Sequence, residues 1–347
     1  MDGPSALKFG LPTSVGGLPF EDHSSAVEFA LSTQPIFPTV PRLRRAGTSF
    51  IDQVASFLPH ADVEEPGLLQ ITRPVTCAGE IHSADLESLS GSFGGTAAFL
   101  DALSQLPSAE PDELIGIRVG VLGPVTTALA LRSAGVPIEV ALPLGVDIAM
   151  DTATTLLDRI RPALGTKLIA VVLSESGLIG AMHPTYPLLT SQVRSCLFEA
   201  VDRIDARGSE GPLVIGIHVP GRTDWSTIIT AGFSLLSLPV GTNLEGSADH
   251  VQHFLDAGGV ISWGAVPVDE PLGSTDEILW RRLSSFWCSL VGAGIDPFQL
   301  RSQSLISTTA GLSHFGVAQA TNALSLADSL STRVRRQAAG TRLSLGA

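Results

Sequence analysis

Eight short apolar runs, each followed by a longer stretch of helical period, constrain this chain more than any other feature of its sequence. They cover residues 11–16, 36–40, 117–123, 168–173, 213–218, 233–238, 260–264 and 305–308. Most are continuously apolar rather than alternating, the pattern of parallel strands covered on both faces. Strands of that kind interleaved with helices predict an α/β fold, a (β/α)8 TIM barrel in one domain over residues 1–347. With 44% hydrophobic and 16% charged residues, a chain of 347 residues can bury such a core.

The helical segments support this reading. Leu189, Val193, Cys196, Leu197, Ala200, Val201 and Ile204 fall on one face at i, i+3, i+4, i+7 spacing, which makes Cys196 a core residue. Ser25 and Glu28 have the spacing of a capping box ahead of Ala30 and Leu31, just after the turn Gly16-Gly17-Leu18-Pro19. Residues 69–82 are β-prone and lie between the second strand and a helix near 95–106, so they are expected to form an inserted, peripheral hairpin. The tail 334–347, rich in Arg, Ala and Gly, is expected to fray.

Charge and cysteine content narrow the function classes. A formal net charge of -13 opposes nucleic acid and anionic membranes as partners, because both require a basic footprint. Cys77, Cys196 and Cys288 show no metal spacing and no even-numbered framework, which fits a reducing compartment. Residues 1–10 lack the charged and apolar regions of a secretion signal, and no run of eighteen apolar residues occurs, so a cytoplasmic location is expected. There is no G-x-S-x-G nucleophile turn, no G-x-x-x-x-G-K-[ST] phosphate loop and no strand before Gly91-Ser92-Phe93-Gly94-Gly95 to support a dinucleotide fold.

In Gly216-Ile217-His218-Val219-Pro220-Gly221 an apolar run delivers one histidine at a strand end and then breaks. Strand ends are where barrels keep their chemistry. Five further stations stand in order around it: Thr13-Ser14-Val15-Gly16-Gly17-Leu18-Pro19, Leu122-Gly123-Pro124-Val125-Thr126, Leu173-Ser174-Glu175-Ser176, Trp263-Gly264-Ala265-Val266-Pro267 and Thr309-Ala310-Gly311-Leu312. Together they resemble the C-terminal catalytic barrel of the cobalamin-independent methionine synthase family and its short archaeal and actinobacterial relatives, within the uroporphyrinogen decarboxylase-like superfamily. The resemblance implies a barrel, methyl transfer from a folate or corrinoid donor, and a partner protein as one source of the methyl group.

It also implies a zinc centre, and here the residues depart from it. Of the family's ligand positions only His218 is kept. Pro220 and Ala310 stand where cysteines should, and the sixth strand ends in Leu238-Pro239 where relatives bring a glutamate. One ligand cannot hold tetrahedral zinc, so no metal site and no zinc-dependent homocysteine methylation are expected. The family's ammonium-binding aspartate is Ser174, and Arg42 aligns where relatives carry an acidic or amide residue.

The candidate catalytic residues are therefore His218 and Glu175, the latter a general acid or base whose pKa is raised by Leu173 and Leu178. Candidate substrate-binding residues are Ser14, Gly16, Gly17, Arg42, Ser174 and Trp263. Arg42, His218 and the free N–H groups at Gly123–Thr126 together suit a carboxylate or phosphate. Each has a plainer reading: Arg42 with Arg44 and Arg45 as a solvated cluster, His218 bonded to a backbone carbonyl, Glu175 in a salt bridge, Trp263 packed in the core. Asp269 and Glu270 are reserve carboxylates, and His314 suits a capping or exposed position. A divergent methyltransferase-related barrel acting on a small, anionic ligand is expected. The alternatives are a cofactor-free decarboxylase and a non-catalytic ligand-binding or regulatory barrel.

Overall fold

Strands with no solvent face need neighbours on both sides, and these runs assemble into a seven-stranded parallel sheet. In spatial order it contains β1 (Leu11–Pro12), β9 (Ser304–Thr308), β8 (Val260–Val266), β7 (Leu235–Pro239), β6 (Leu213–His218), β5 (Leu168–Ser174) and β4 (Gly116–Leu122). The computed structural model describes residues 7, 9–44, 47–58, 60–64, 67–73, 75, 91–105 and 114–345, with side chains in the last helix to residue 337. Eleven helices occur among the described residues: α1 (His23–Thr33), α2 (Phe50–Ala55), α3 (Gly94–Gln105), α4 (Pro124–Ser133), α5 (Ile138–Leu164), α6 (Thr190–Asp205), α7 (Trp225–Ile229), α8 (Ala248–Asp256), α9 (Glu277–Gly292), α10 (Pro297–Ser302) and α11 (Val317–Leu345).

The period of two along each strand separates two apolar clusters. Leu168, Ala170, Val172, Val214, Leu235, Val260 and Leu305 pack with Leu7 and Phe37 over the concave face. The alternate residues, including Ile169, Val171, Leu173, Ile217, Leu236 and Ile261, join the helices in a much larger cluster that runs from Leu18 to Val334. The sheet is curled, and the Arg118 guanidinium on β4 reaches Ser237 on β7, three strands away.

Seven of the eight expected runs are ladder strands, with β6 matching 213–218 at both ends. The exception, 36–40, forms only one isolated parallel bridge, Thr39 with Arg118, and a second follows it from Arg42 to Gly17. Pro38 and Pro41 explain this, since neither has an N–H to give to a ladder. The segment nonetheless touches both sheet edges: Val40 N–H donates to Arg118 O (2.8 Å), Arg118 N–H to Pro38 O (2.9 Å) and Arg42 N–H to Gly16 O (2.6 Å).

Three local expectations need correction or restriction. The hairpin consists of β2 (Ala61–Glu64) and β3 (Leu68–Ile71), so it begins eight residues before the expected 69; 76–82, including Cys77, lie outside the described residues. The cap of α1 is Asp22, which accepts from Ser25 N–H, so Ser25 lies inside the helix rather than ahead of it. The tail expected to fray is assigned as helix as far as Leu345, where α11 ends, and Val334 at its start is fully buried. Helix α5 is, among the described residues, the one long and apolar enough to cross a membrane by composition, yet 61% of its most apolar window is buried.

Candidate functional site

Register places the chemistry. Leu122, Ser174, His218, Ser237 and Ser262 are successive partners across β4, β5, β6, β7 and β8. Ser174, a candidate for substrate binding, and His218, a candidate for catalysis, are thus neighbours on the concave side of adjacent strand ends. His218 is buried, its Nδ1 lying 3.0 Å from Ser237 Oγ. Arg118 Nη2 donates to the same hydroxyl at 3.3 Å.

Arg118 was not foreseen, and it changes the character of the site. It is 2% exposed, and burial pushes its pKa down to about 10. Arg42 follows the bridging segment, and its guanidinium stacks 3.6 Å from the centre of the Phe50 ring on α2. Its Nη2 makes a long contact to Val15 O (3.4 Å); burial and then the repulsion of Arg118 bring its pKa to about 9. Nη1 of each arginine is shielded from solvent and has no hydrogen-bond partner among the described residues. The Ser262 hydroxyl, beside Ser237 in register, is in the same condition. Burial, with Arg118 and Arg42 nearby, drives His218 down to about 3, so its imidazole is neutral. Of the two readings of Arg42, the solvated cluster does not describe it.

Glu175 has a different environment. Its carboxylate accepts from Val125 N–H (2.9 Å), Thr126 N–H (2.7 Å) and Thr126 Oγ1, closing the first turn of α4. The N–H groups expected to be free for an external anion at Gly123–Thr126 are therefore taken by the protein itself, those of Val125 and Thr126 by the Glu175 carboxylate and that of Gly123 by Ser174 O (2.9 Å), while Pro124 has none. Gly123 permits this, because a Cβ there would stand 2.2 Å from Glu175 Cδ. Burial raises Glu175 to about 7 against the lowering effect of those three donors. Its own N–H donates to His218 O (2.8 Å), which ties the ends of β5 and β6 together.

The glycine station is a packing device. Gly16 has φ +95°, and a Cβ on Gly17 would lie 3.3 Å from Gly311 Cα; Leu312 N–H donates to Gly17 O at 2.7 Å. The first and last stations of the resemblance thus touch, backbone to backbone. The Ser14 hydroxyl is buried and donates to Gln34 Oε1 (3.2 Å). Trp263 is directed into the helical shell, where it meets Phe286 and Trp287 of α9 edge-on at 5.9 and 6.1 Å. It is a packing residue between β8 and α9, not a wall of the concave site. His314 is exposed, as the plainer reading has it, and Glu270 is paired with Arg282.

Two of the larger cavities lie at the ends of the sheet strands. One of about 750 Å3 lies between α7 and α8, beside Phe233, Ser234, Gly258 and Gly259 at the N-terminal ends of β7 and β8. Another of about 580 Å3 is lined by Pro220, Pro239, Gly264, Ala265, Phe286 and Ala310, at and beyond the C-terminal ends of β6–β9. The second is the candidate, because His218, Ser237 and Ser262 each precede one of its lining residues by two positions, about 7 Å along a strand. No three His, Cys, Asp or Glu side chains among the described residues lie close enough to share a metal ion. Pro220 and Ala310 offer no donor on this wall, and His218 faces two cations, so the residues present do not fit the zinc centre implied by the resemblance. No protein-family model matches the chain, and no curated protein matches it significantly.

Proposed function

We propose that this chain is a methionine synthase-like (β/α)8 barrel, closed by the segment 36–42, which takes a small anionic ligand at the strand C-terminal mouth without zinc. One observation carries this reading: Arg42 and Arg118 each hold a shielded Nη1 without a partner, the Arg118 charge lowers the pKa of Arg42, and neither guanidinium meets a compensating carboxylate among the described residues. Uncompensated buried charge costs several kcal/mol, roughly, and an arriving anion removes that penalty. Burial is the main reason His218 is neutral, and an anion there offsets the smaller share that comes from Arg118 and Arg42, which moves the imidazole toward the range where it can transfer a proton. Ligand arrival and acid–base competence are coupled in this scheme.

Cofactor-free decarboxylation is the second reading, and the same arginine pair favours it, since a carboxylate substrate needs cationic donors rather than metal. A purely ligand-binding barrel uses the pair without the proton transfer. Thermal unfolding of the purified chain with folates, corrinoids, thiols and porphyrinogen-like polyacids separates the classes, because a ligand of the native state raises its Tm. Assays for methyl transfer and CO2 release with the stabilising ligand then follow. Stabilisation by thiols alone, with no response to any anion, sinks the reading.

A further inference from the structure

The chemical class of the ligand follows from the number and kind of donors that await it. Among the buried donors that lack a partner among the described residues, three belong to this face of the sheet: Arg118 Nη1, Arg42 Nη1 and Ser262 Oγ. Arg118 is held from its other nitrogen by Ser237. A phosphate group carries nearly two charges and three acceptor oxygens, and proteins meet it with backbone N–H groups at helix starts. The helix start beside this site is closed by Glu175, whose carboxylate takes Val125 N–H and Thr126 N–H. What remains matches two oxygens sharing one charge.

The cavity above decides the rest of the molecule. Pro220, Pro239, Val240, Ala265, Val268 and Phe286 make its wall largely apolar. Its acidic members, Asp269 and Glu270, oppose a second carboxylate at that end, and Arg282, also on the wall, is already paired with Glu270. We propose that the concave face binds the carboxylate of a small organic monoacid through Arg118, Arg42 and Ser262, with the acid's apolar body directed toward the cavity beyond Pro239 and Gly264. This rests on the anionic-ligand reading above and sharpens it to one class.

The test uses the full chain and four probes at constant ionic strength and pH 7.5: acetate, hexanoate, succinate and inorganic phosphate. Thermal unfolding and isothermal titration should show hexanoate binding at least tenfold more tightly than acetate, with no shift from succinate or phosphate. Hexanoate affinity should fall tenfold or more in both Arg118→Met and Ser262→Ala, each checked for native circular dichroism. The serine variant, which removes only the hydroxyl, keeps the test valid should the arginine variant misfold. A phosphate or succinate shift larger than that of hexanoate, lost in these variants, overturns the monoacid class while leaving the anionic reading intact. Hexanoate binding that survives both substitutions overturns the assigned site. The absence of a shift with every anion overturns both readings.

Discussion

Two ionised regions lie within a few residues of each other at the strand ends, and they are built on opposite plans. Around Glu175 the protein supplies one carboxyl group with three donors of its own, so the cost of burial is offset in part locally. Around Arg118 it buries two cations and a serine and leaves a donor on each without a partner among the described residues. A satisfied buried charge is architecture, and an unsatisfied one points to something the chain must receive. The sequence gives both residues the same outward mark, a charge in or next to an apolar strand.

Removing the two charges should therefore have opposite effects on stability. Glu175→Ala strands two N–H groups and a hydroxyl at the start of α4, and urea unfolding should show a loss of about 3 kcal/mol. Arg118→Met removes an uncompensated cation at similar volume, and without ligand it should stabilise the fold by about 2 kcal/mol. A destabilised Arg118→Met would mean the guanidinium is already compensated, and the contrast between the regions would disappear.

Titration should sharpen the same contrast. Glu175 is raised from 4.5 to about 7, so the folded form keeps a proton that the unfolded chain has lost; its contribution to stability falls as pH rises through that window. His218 is lowered from 6.5 to about 3, so the unfolded chain takes up a proton that the folded form refuses; its contribution falls as pH drops through that window. Between 4.5 and 6.5 the two slopes oppose. Glu175→Gln should expose a gain of about 1.4 kcal/mol per pH unit on raising pH, and His218→Asn a similar loss. Equal pH profiles for wild type and both variants would remove the basis for either shift. The smallest effect is expected for Ser237→Ala, about 1 kcal/mol, as Arg118 Nη2 loses its acceptor and His218 its neighbour.

Much of the scaffold was legible because apolar runs leave little choice, and 213–218 became β6 without a residue's difference. The run 36–40 misled because its apolar character outweighed Pro38 in the reading, whereas backbone pairing depends on the N–H that proline lacks. Trp263 could have been placed from parity: Ser262 and Gly264 share the side of His218 and Ser237, so the residue between them must face the helices. Arg118 carried a clear signal as the single charge inside Ile117-Arg118-Val119-Gly120-Val121-Leu122, a context in which a solvated role is excluded. What no one-dimensional pattern disclosed was Glu175 folding back onto α4, since that contact joins residues fifty positions apart.

That contact has a dynamic consequence. Amide protons in the first turn of a helix ordinarily exchange with solvent quickly, because no carbonyl of the same helix covers them. Here those of Val125 and Thr126 are held by the fully buried carboxylate of Glu175, a residue whose backbone N–H donates to His218 O on β6. They should exchange on the timescale of global unfolding, with the start of α4 and the ends of β5 and β6 opening as one unit. The rim of the pocket would then be among the slowest-exchanging parts of the molecule rather than the most mobile.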